Sequence, residues 1–448
     1  MTPLKRRVLF IIFSFLFVIL SGVLILYALG NRFNFKTFTI EKTGGIYIIS
    51  HPSNAALTLN GRTVVNASNI LTPGTLIDNL TSGRYEMTVS ESGYSTWKKN
   101  IKVAPGLVSV YDSVVLVPQN AAEPVSLPTS TLAAASQGIG SIGLADGNLI
   151  ISASDGGIYV AGQRLRGNKI VDISKSGQLI TYSTLTGSYY LSDPLSSSVP
   201  TNLSSEFTLD ARRLLSPRER VTGMVFSSVS DQYVLVRTDL ALYGLNLGQH
   251  SAQLISGKLS AYASGGNDVY WINPNGVESY NVVFQVFGKF SNAPADQSGV
   301  KDLTTASAGG QLFVLYNDGQ LYMLTKNQAP KLLAPSVNSV SLSPVGQDLI
   351  YLSGDGLVSD YTITTGKTIL MKTELANISP NIVWYDDGAH LFLQSGSNLY
   401  FTEVDDRNPP LNMVKISGNA KSFAYDSNAN LLYFTDGQAI KKLAIEPS

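Results

Sequence analysis

The sequence predicts an all-β protein behind a single N-terminal transmembrane helix. Residues 8–29 form an apolar run without a charged side chain, and a helix needs ~20 such residues to cross a membrane. After this run, short segments rich in Val, Ile, Tyr, Leu and Thr alternate with Gly, Asn, Asp and Ser, which is typical of strands and turns. Beyond the apolar run we find no amphipathic helical stretch of useful length, so we expect strands and tight turns in the rest of the chain.

The apolar run Val8–Leu29 is predicted to be an uncleaved signal anchor. Three basic residues at positions 5–7 precede it, and basic residues beside a membrane helix stay in the cytoplasm. We therefore assign residues 1–36 to a cytoplasmic tail and anchor, and residues 37–448 to the outside of the cytoplasmic membrane. A cleavable signal peptide is the alternative, because residues 28–30 loosely resemble a cleavage site. The apolar run is longer than the ~7–15 residues usual for the core of a signal peptide.

Composition and charge exclude several classes of function. The chain contains no cysteine, which excludes disulfides, thiolate metal sites and cysteine nucleophiles. Residues 1–36 carry five basic and no acidic side chains, so the rest of the chain, with 27 basic and 32 acidic residues, has a net negative charge. Nucleic-acid binding requires a basic surface, so we predict no nucleic-acid partner.

Residues 37–118 are predicted to form a small β domain, which a short polar linker at 119–123 joins to the remaining chain. Strands are predicted at 46–50, 56–59 and 84–89. Asn60-Gly61 follows the second of these strands, and this dipeptide favours a tight hairpin turn.

This domain resembles the PEGA domain, a small β-sandwich-like module. The resemblance rests on motifs that occur in the family's order: Ser50, Pro52 and Ala55, then Thr72-Pro73, then Leu80, Gly83 and Tyr85, then Gly93-Tyr94 and Trp97. The sequence departs from the family at Asn54, where the eponymous motif has glycine. The resemblance implies an exported or surface module and implies no catalysis.

Residues 124–448 contain an internal repeat of about 40 residues. Eight apolar strands, each followed by a turn and a second strand, start at Leu149, Leu179, Tyr233, Val269, Leu312, Leu349, Leu391 and Leu431. Such a period is typical of the four-stranded blades of a β-propeller. We therefore predict eight blades, with seven as the alternative if residues 149–190 are irregular.

The end of the chain predicts how the ring closes. Only five residues follow Leu443, too few for the outermost strand of the last blade. We expect residues 124–127 to supply that strand by pairing with the C-terminal sequence. One insertion, at residues 210–220, departs from the repeat and is predicted to be helical.

Two of the repeats resemble those of TolB-like or WD-repeat-like propellers. The segments at 174–182 and 341–351 follow the pattern Ser-Pro-Asp-Gly-x-x-apolar-x-aromatic, except that Ser176 and Val345 replace the usual aspartate. Propellers are rigid discs whose loop-lined faces bind partners, so the resemblance implies a binding domain.

The sequence contains no recognisable catalytic motif. His51, His250 and His390 are the three histidines, and none has a second ligand at metal-binding spacing. No G-x-S-x-G nucleophile motif and no Asp-rich calcium loop is present. The acidic pairs Asp386-Asp387 and Asp405-Asp406 coincide with predicted turns, where aspartate commonly has a structural role. We predict no catalytic residue, no cofactor, no metal and no enzymatic activity.

These observations favour a non-catalytic binding or scaffold protein of the bacterial cell envelope. Its propeller would be displayed outside the membrane to a protein or to cell-wall glycan. The predicted contact with an anionic partner is a group of four arginines: Arg212, Arg213, Arg218 and Arg220. The alternative is a membrane-tethered hydrolase that acts on envelope glycan or peptide through carboxylates in the propeller funnel. The sequence does not predict an oligomeric state.

Overall fold

The computed structural model divides the chain into two compact units. The first comprises residues 1–120, 405–412 and 446–448, and the second comprises residues 121–404 and 413–445. The structure describes the following residues: 3–28, 30–34, 39–68, 72–128, 138–194, 196, 199–257, 259–292, 299–306, 310–405 and 407–446.

The N-terminal helix, α1, spans Pro3–Ala28. Its segment Arg6–Ala28 is 23 residues long and apolar enough to cross a membrane. No other helix among the described residues meets this criterion. A signal sequence would meet it as well. Leu29, the last residue of the predicted anchor, lies outside the described residues.

Nine strands follow α1 among the described residues of the first unit. Their bounds are β1 Asn31–Asn34, β2 Thr39–Lys42, β3 Gly44–His51, β4 Ala56–Leu59, β5 Arg62–Val64, β6 Thr75–Leu80, β7 Gly83–Ser90, β8 Trp97–Val103 and β9 Val108–Val115. Strands β1 and β2 form a hairpin. The others form two sheets with the orders β6-β3-β9 and β5-β4-β7-β8.

The two sheets share one apolar core and therefore form the expected sandwich. Ile46 and Ile48 from one sheet pack with Met87, Val89 and Trp97 from the other. The three strands predicted in this region lie within β3, β4 and β7.

The predicted hairpin turn between β4 and β5 is also present. Asn60 and Gly61 have φ angles of 50° and 75°. A type I′ turn requires positive φ at both central residues, and asparagine and glycine adopt such angles at the lowest cost.

The second unit contains, among its described residues, eight four-stranded antiparallel sheets, which we name blades 1 to 8 in chain order. Before blade 1 comes β10 Glu123–Pro124. Blade 1 contains β11 Ile139–Ala145, β12 Asn148–Ala153, β13 Ile158–Val160 and β14 Gln163–Arg164, and blade 2 contains β15 Lys169–Ile173, β16 Leu179–Ser183, β17 Ser188–Ser192 and β18 Thr201–Asn202. Blade 3 contains β19 Val221–Phe226, β20 Tyr233–Thr238, β21 Leu242–Asn246 and β22 Ser251–Ser256, and blade 4 contains β23 Ala261–Gly265, β24 Asp268–Asn273, β25 Gly276–Asn281 and β26 Val286–Ser291.

Blades 5 to 8 continue the same pattern. Blade 5 contains β27 Val300–Thr305, β28 Gln311–Tyr316, β29 Leu321–Thr325 and β30 Lys331–Ala334, and blade 6 contains β31 Val337–Leu342, β32 Asp348–Ser353, β33 Val358–Thr362 and β34 Lys367–Met371. Blade 7 contains β35 Val383–Trp384, β36 His390–Ser395, β37 Asn398–Glu403 and β38 Met413–Ser417. Blade 8 contains β39 Ser422–Asp426, β40 Leu431–Thr435 and β41 Ile440–Ala444 together with β10. Each of the eight predicted strand starts falls within the first two residues of a blade's second strand, so the prediction of eight blades is confirmed.

The blades form a closed ring. First strands of neighbouring blades lie against each other, as β15 does with β19 and β23 with β27, and β11 of blade 1 lies against β39 of blade 8. The first strands therefore line the centre of the ring. Closure follows the prediction, because Glu123 pairs with Lys442 and Pro124 with Lys441, and the amide of Val125 donates to the carbonyl of Ile440 at 2.9 Å.

The predicted helix at residues 210–220 is wrong in position. The helix, α2, spans Leu203–Asp210, and the side chain of Asn202 caps its start by accepting the amide of Ser205. Leu203 and Phe207 lie one turn apart on its buried face, packed against blades 2 and 3. Residues 211–220 form turns, and Pro217, which has no backbone amide to donate, disfavours a helix that continues through the segment.

Candidate binding surfaces of the propeller

The four predicted contact arginines lie in the segment that joins blade 2 to blade 3, residues 211–220, which we call the arginine segment. Arg212, Arg213, Arg218 and Arg220 are all exposed. Their guanidinium groups form no hydrogen bond or ion pair with the described residues. The cations are therefore available to a ligand.

Glu219 fixes the backbone of the arginine segment. Its Oε1 accepts hydrogen bonds from the hydroxyls of Tyr243, at 3.0 Å, and Thr238, and its Oε2 accepts the amide of Ser216 at 2.9 Å. Burial, together with the adjacent carboxylate, raises the pKa of Tyr243 to about 12. The phenol therefore remains a protonated donor at neutral pH, and the arginines extend from a fixed loop.

A pocket of about 550 Å³ opens beside Arg220. Asp239, in the wall of the pocket, accepts the amide of Arg220 at 3.0 Å and donates its own amide to the Arg220 carbonyl at 3.0 Å. The lining residues are Thr222, Arg237, Thr238, Asp239, Leu240, Ala241, Gly257 and Leu259. The pocket lining carries one cation, Arg237, and one carboxylate, Asp239, together with hydroxyls and leucines, which suits a small group that is partly apolar and partly polar.

A second surface, which was not predicted from the sequence, is the hairpin between β25 and β26 in blade 4, residues 281–287, which we call the apolar hairpin. Val283, Phe284, Val286 and Phe287 are 56%, 74%, 60% and 52% exposed. Contiguous apolar side chains on a protein surface mark interaction sites. The signal in the sequence was the run of residues 282–287, in which apolar side chains occupy both faces of the hairpin instead of alternating with polar ones.

Polar contacts hold the apolar hairpin in its exposed position. The side-chain oxygen of Asn281 accepts the amide of Phe284 at 2.9 Å, and its amide group donates to Asp268 at 3.0 Å. Phe287 packs on the ring of Tyr280 with centroids 4.6 Å apart. The exposure of the hairpin is therefore a property of an ordered turn.

The two surfaces belong to different parts of the ring. The apolar hairpin is the turn between the third and fourth strands of blade 4, and the arginine segment connects α2, which follows blade 2, to the first strand of blade 3. The two surfaces share no residue.

His390 and the acidic pair Asp386-Asp387 lie at one turn of blade 7, where His390 is buried, Asp387 is part-buried and Asp386 is exposed. The Nδ1 atom of His390 lies 2.6 Å from Asp387 Oδ2, and the imidazole stacks on Phe401 with centroids 4.8 Å apart. Burial by itself would raise the pKa of Asp387, but the hydrogen bond and charge of His390, with two backbone amides, hold that pKa below its usual value. Asp386 accepts the hydroxyl of Tyr425 at 3.0 Å.

The other residues considered from the sequence lie apart from one another. In the first unit, His51 is 3.6 Å from Glu446, and Asp405 forms an ion pair with Arg407 at 2.7 Å; Asp406 lies outside the described residues. His250 lies beside Glu206 and Asp210, which together form the single group of three or more metal-ligating side chains among the described residues.

Two carboxylates with raised pKa values lie on first strands, where the hydrolase alternative would place them. Desolvation by surrounding groups raises the pKa of Asp172 in blade 2, which is part-buried, and that of Asp302 in blade 5, which is exposed. The two residues are three blades apart, and both oxygens of Asp172 accept backbone amides, those of Ile173 and Phe226. Asp172 therefore serves as a link between blades.

The comparisons with known proteins support the assignment of the first unit. Residues 43–112 match the family model described as the PEGA domain, so the resemblance seen in the sequence is confirmed for these residues. A search of curated proteins finds no match to the chain.

Solved structures similar to this chain include propeller-containing proteins at low identity. A chain of the mitotic checkpoint complex is 13% identical with a TM-score of 0.44, covering 62% of this chain and 90% of its own. Hsv2 of Kluyveromyces lactis is 12% identical with a TM-score of 0.42, covering 62% of this chain and 98% of its own. The Cps50 (Swd1) propeller domain of Myceliophteria thermophila is 10% identical with a TM-score of 0.40, covering 62% and 96%. The propeller assignment rests on the strand pairings described above and takes nothing from these scores.

Proposed function

We propose that the chain is a membrane-anchored, non-catalytic binding protein whose propeller is displayed outside the cytoplasmic membrane. The helix α1 is its anchor, with the basic residues at 5–7 on the cytoplasmic side. Residues 37–118 and the linker at 119–123 separate the anchor from the propeller at 124–448. The observation that carries this proposal is the apolar hairpin, an ordered turn with four large apolar side chains in solvent.

The apolar hairpin favours a protein partner over a glycan for its face of the ring. Fully burying a Val or Phe side chain contributes about 1.5–3 kcal/mol, and the four residues are still 52–74% exposed. Covering them would contribute roughly 4 kcal/mol before the costs of association are subtracted. The hairpin would thus be the centre of an interface that also needs polar contacts at its rim.

The arginine segment supports a second, anionic ligand. Four exposed guanidinium groups recognise carboxylates or phosphates through paired hydrogen bonds. A cell-wall polymer rich in phosphate or an acidic protein segment would satisfy them. Binding there would weaken as salt is raised, because the charges are solvent-exposed.

The hairpin is tested by capture from envelope extract with the full-length chain in detergent. A variant with Val283, Phe284, Val286 and Phe287 changed to serine removes the apolar surface. A control variant changes four exposed apolar residues elsewhere in the propeller to serine: Leu185, Val199, Leu332 and Val345. We expect cross-linked partners to be retained by the wild type and the control and to be lost with the hairpin variant. Equal capture by all three proteins would refute the role of the hairpin.

The arginine segment is tested with polyphosphate as the probe. Changing the four arginines to alanine should abolish retention of the chain on immobilised polyphosphate at low salt. The control removes the same amount of positive charge from four exposed lysines: Lys289, Lys326, Lys367 and Lys372. If both variants lose binding equally, the effect is one of net charge and the arginine segment is not the site.

A further inference from the structure

Glu206, Asp210 and His250 form a cluster of metal-ligating side chains on the propeller, which we call the carboxylate–histidine cluster. Their ligand atoms all lie within 4.8 Å of one another, and His250 Nδ1 is 3.1 Å from Glu206 Oε1. Tetrahedral ligands at Zn²⁺ bond lengths of about 2.0–2.1 Å are separated by roughly 3.3 Å. The cluster is therefore close to the size that a bound ion would impose.

The fold holds all three side chains in place. Glu206 and Asp210 are four residues apart on α2, so they lie on the same face of that helix. Burial of Leu203 and Phe207 against blades 2 and 3 fixes the helix. His250 lies in the turn between β21 and β22, where its φ of 46° lets the backbone reverse direction within a few residues.

The charges of the cluster are unfavourable without a cation. Two carboxylates at i and i+4 repel each other, and Asp210 is the last residue of α2, where the helix dipole disfavours a negative charge. Asp210 Oδ2 is also buried and has no hydrogen-bond partner among the described residues. A buried, unpartnered carboxylate oxygen costs free energy, and a metal ion that binds it removes this cost.

The types of the three side chains select the class of ion. Calcium and magnesium prefer oxygen ligands alone, whereas imidazole suits zinc and other divalent transition metals. His250 is mostly exposed, with 74% of its side chain accessible, so an ion could enter from solvent. Three protein ligands would leave a fourth position for water or for a group of a partner.

We propose that Glu206, Asp210 and His250 bind one divalent transition-metal ion of the Zn²⁺ type. The site joins α2 to blade 3, because two ligands lie on the helix and the third lies on the turn of the neighbouring blade. The ion would cross-link the two elements and stabilise them.

The test is Zn²⁺ binding to the full-length chain in detergent after removal of metals with a chelator. Isothermal titration should show one saturable site per chain, and Co²⁺ at the same site should give the visible absorption of a low-coordinate complex. The variants are Asp210→Asn, which keeps the shape of the side chain, and His250→Asn, which tolerates the positive φ. His51→Asn is the matched control, because it removes another exposed histidine beside a glutamate.

We expect both site variants to bind Zn²⁺ at least tenfold more weakly than the wild type, and the control to bind it unchanged. Excess Ca²⁺ or Mg²⁺ should not displace the ion. Circular dichroism checks that each variant is folded. If Asp210→Asn does not fold, the Zn²⁺ affinity of His250→Asn, whose substitution lies on an exposed turn, tests the proposal by itself. The absence of a saturable Zn²⁺ site in the wild type, or equal weakening by the control and the site variants, would overturn the proposal.

Discussion

Asp172 joins blade 2 to blade 3 through a single carboxylate, and its replacement gives a sharp test of how the ring is held together. Its Oδ2 accepts the amide of Phe226, in the next blade, at 2.7 Å. Its Oδ1 accepts the amide of Ile173, in its own blade, at 2.9 Å. Asp172→Asn leaves one oxygen for these two amides, so in either orientation of the new side chain one amide faces an NH₂ group.

The cost of this change follows from the contacts. A buried donor that loses its acceptor costs about 1–3 kcal/mol. Part of this is recovered, because burial disfavours the charged form and thereby raises the pKa of Asp172, a penalty that a neutral amide does not carry. We expect a net loss of about 1–2 kcal/mol, which corresponds to a fall in Tm of roughly 1.5–3 °C for a domain of this size. Asp172→Ala removes both acceptors and should cost more.

Thermal unfolding of the full-length chain, followed by near-ultraviolet circular dichroism, measures the effect. The matched control is Asp239→Asn, since that carboxylate accepts one backbone amide, from Arg220, and one amide oxygen can replace it. The control should lower Tm by no more than about 1 °C, as expected for a surface substitution. If Asp172→Asn and Asp172→Ala both unfold at the wild-type temperature, the carboxylate does not hold the blades together.

Three other contacts lead to measurable predictions. Because the pKa of Asp387 is lowered in the folded state, its ionised form stabilises the fold above pH ~4, and this contribution is lost as the pH falls through the folded-state pKa. The difference in Tm between the wild type and Asp387→Asn, measured from pH 7 to pH 3, should therefore disappear at the acid end. Lys99 is fully buried in the first unit and donates to the carbonyl of Asp405, so Lys99→Ala should cost about 2–4 kcal/mol in urea unfolding and Lys99→Met should cost less. A methyl group at Gly244 would meet both the hydroxyl and the ring of Tyr233, so Gly244→Ala should destabilise the propeller by about 1–3 kcal/mol, and Tyr233→Phe in the same chain should not restore its Tm because the ring remains in the way.

The propeller could be predicted from the sequence because the second strand of each blade lies between two others. Such strands are buried on both faces, as in β28, where Leu312 to Tyr316 are all buried, and they appear in the sequence as runs of apolar residues. Closure could be predicted because residues 124–127 precede the first repeat and belong to none of the eight, and β10 does pair with β41. Both arguments use order along the chain alone.

Features that depend on side chains from distant parts of the chain could not be predicted in this way. Glu206 and His250 are 44 positions apart in the sequence, so no local motif indicates the carboxylate–histidine cluster. The cluster forms because blade 3 folds back beside α2. The buried Lys99 likewise has its partner in residues 405–412, which belong to the first unit although they lie between the third and fourth strands of blade 7 in sequence. The position of α2 was missed because its signals, a capping asparagine and two buried side chains, are short and local.

The low content of charged residues, 14% of the chain, has a structural reason at the junctions between blades. Several of these junctions use a serine hydroxyl in a position where a carboxylate or an amine could also form the hydrogen bond. The amide of Ile142 donates to the Ser422 hydroxyl at 3.2 Å, and the amide of Ser228 donates to the Ser264 hydroxyl at 3.0 Å. The Ser341 hydroxyl donates to the Ile382 carbonyl at 3.2 Å. A hydroxyl can donate or accept and loses little hydration on burial, whereas a charged group must be paired to be buried without a large cost. Asp172 is a charged exception, and it is tolerated because two amides share its charge. The junctions with serine should therefore be less sensitive to pH than the junction between blades 2 and 3.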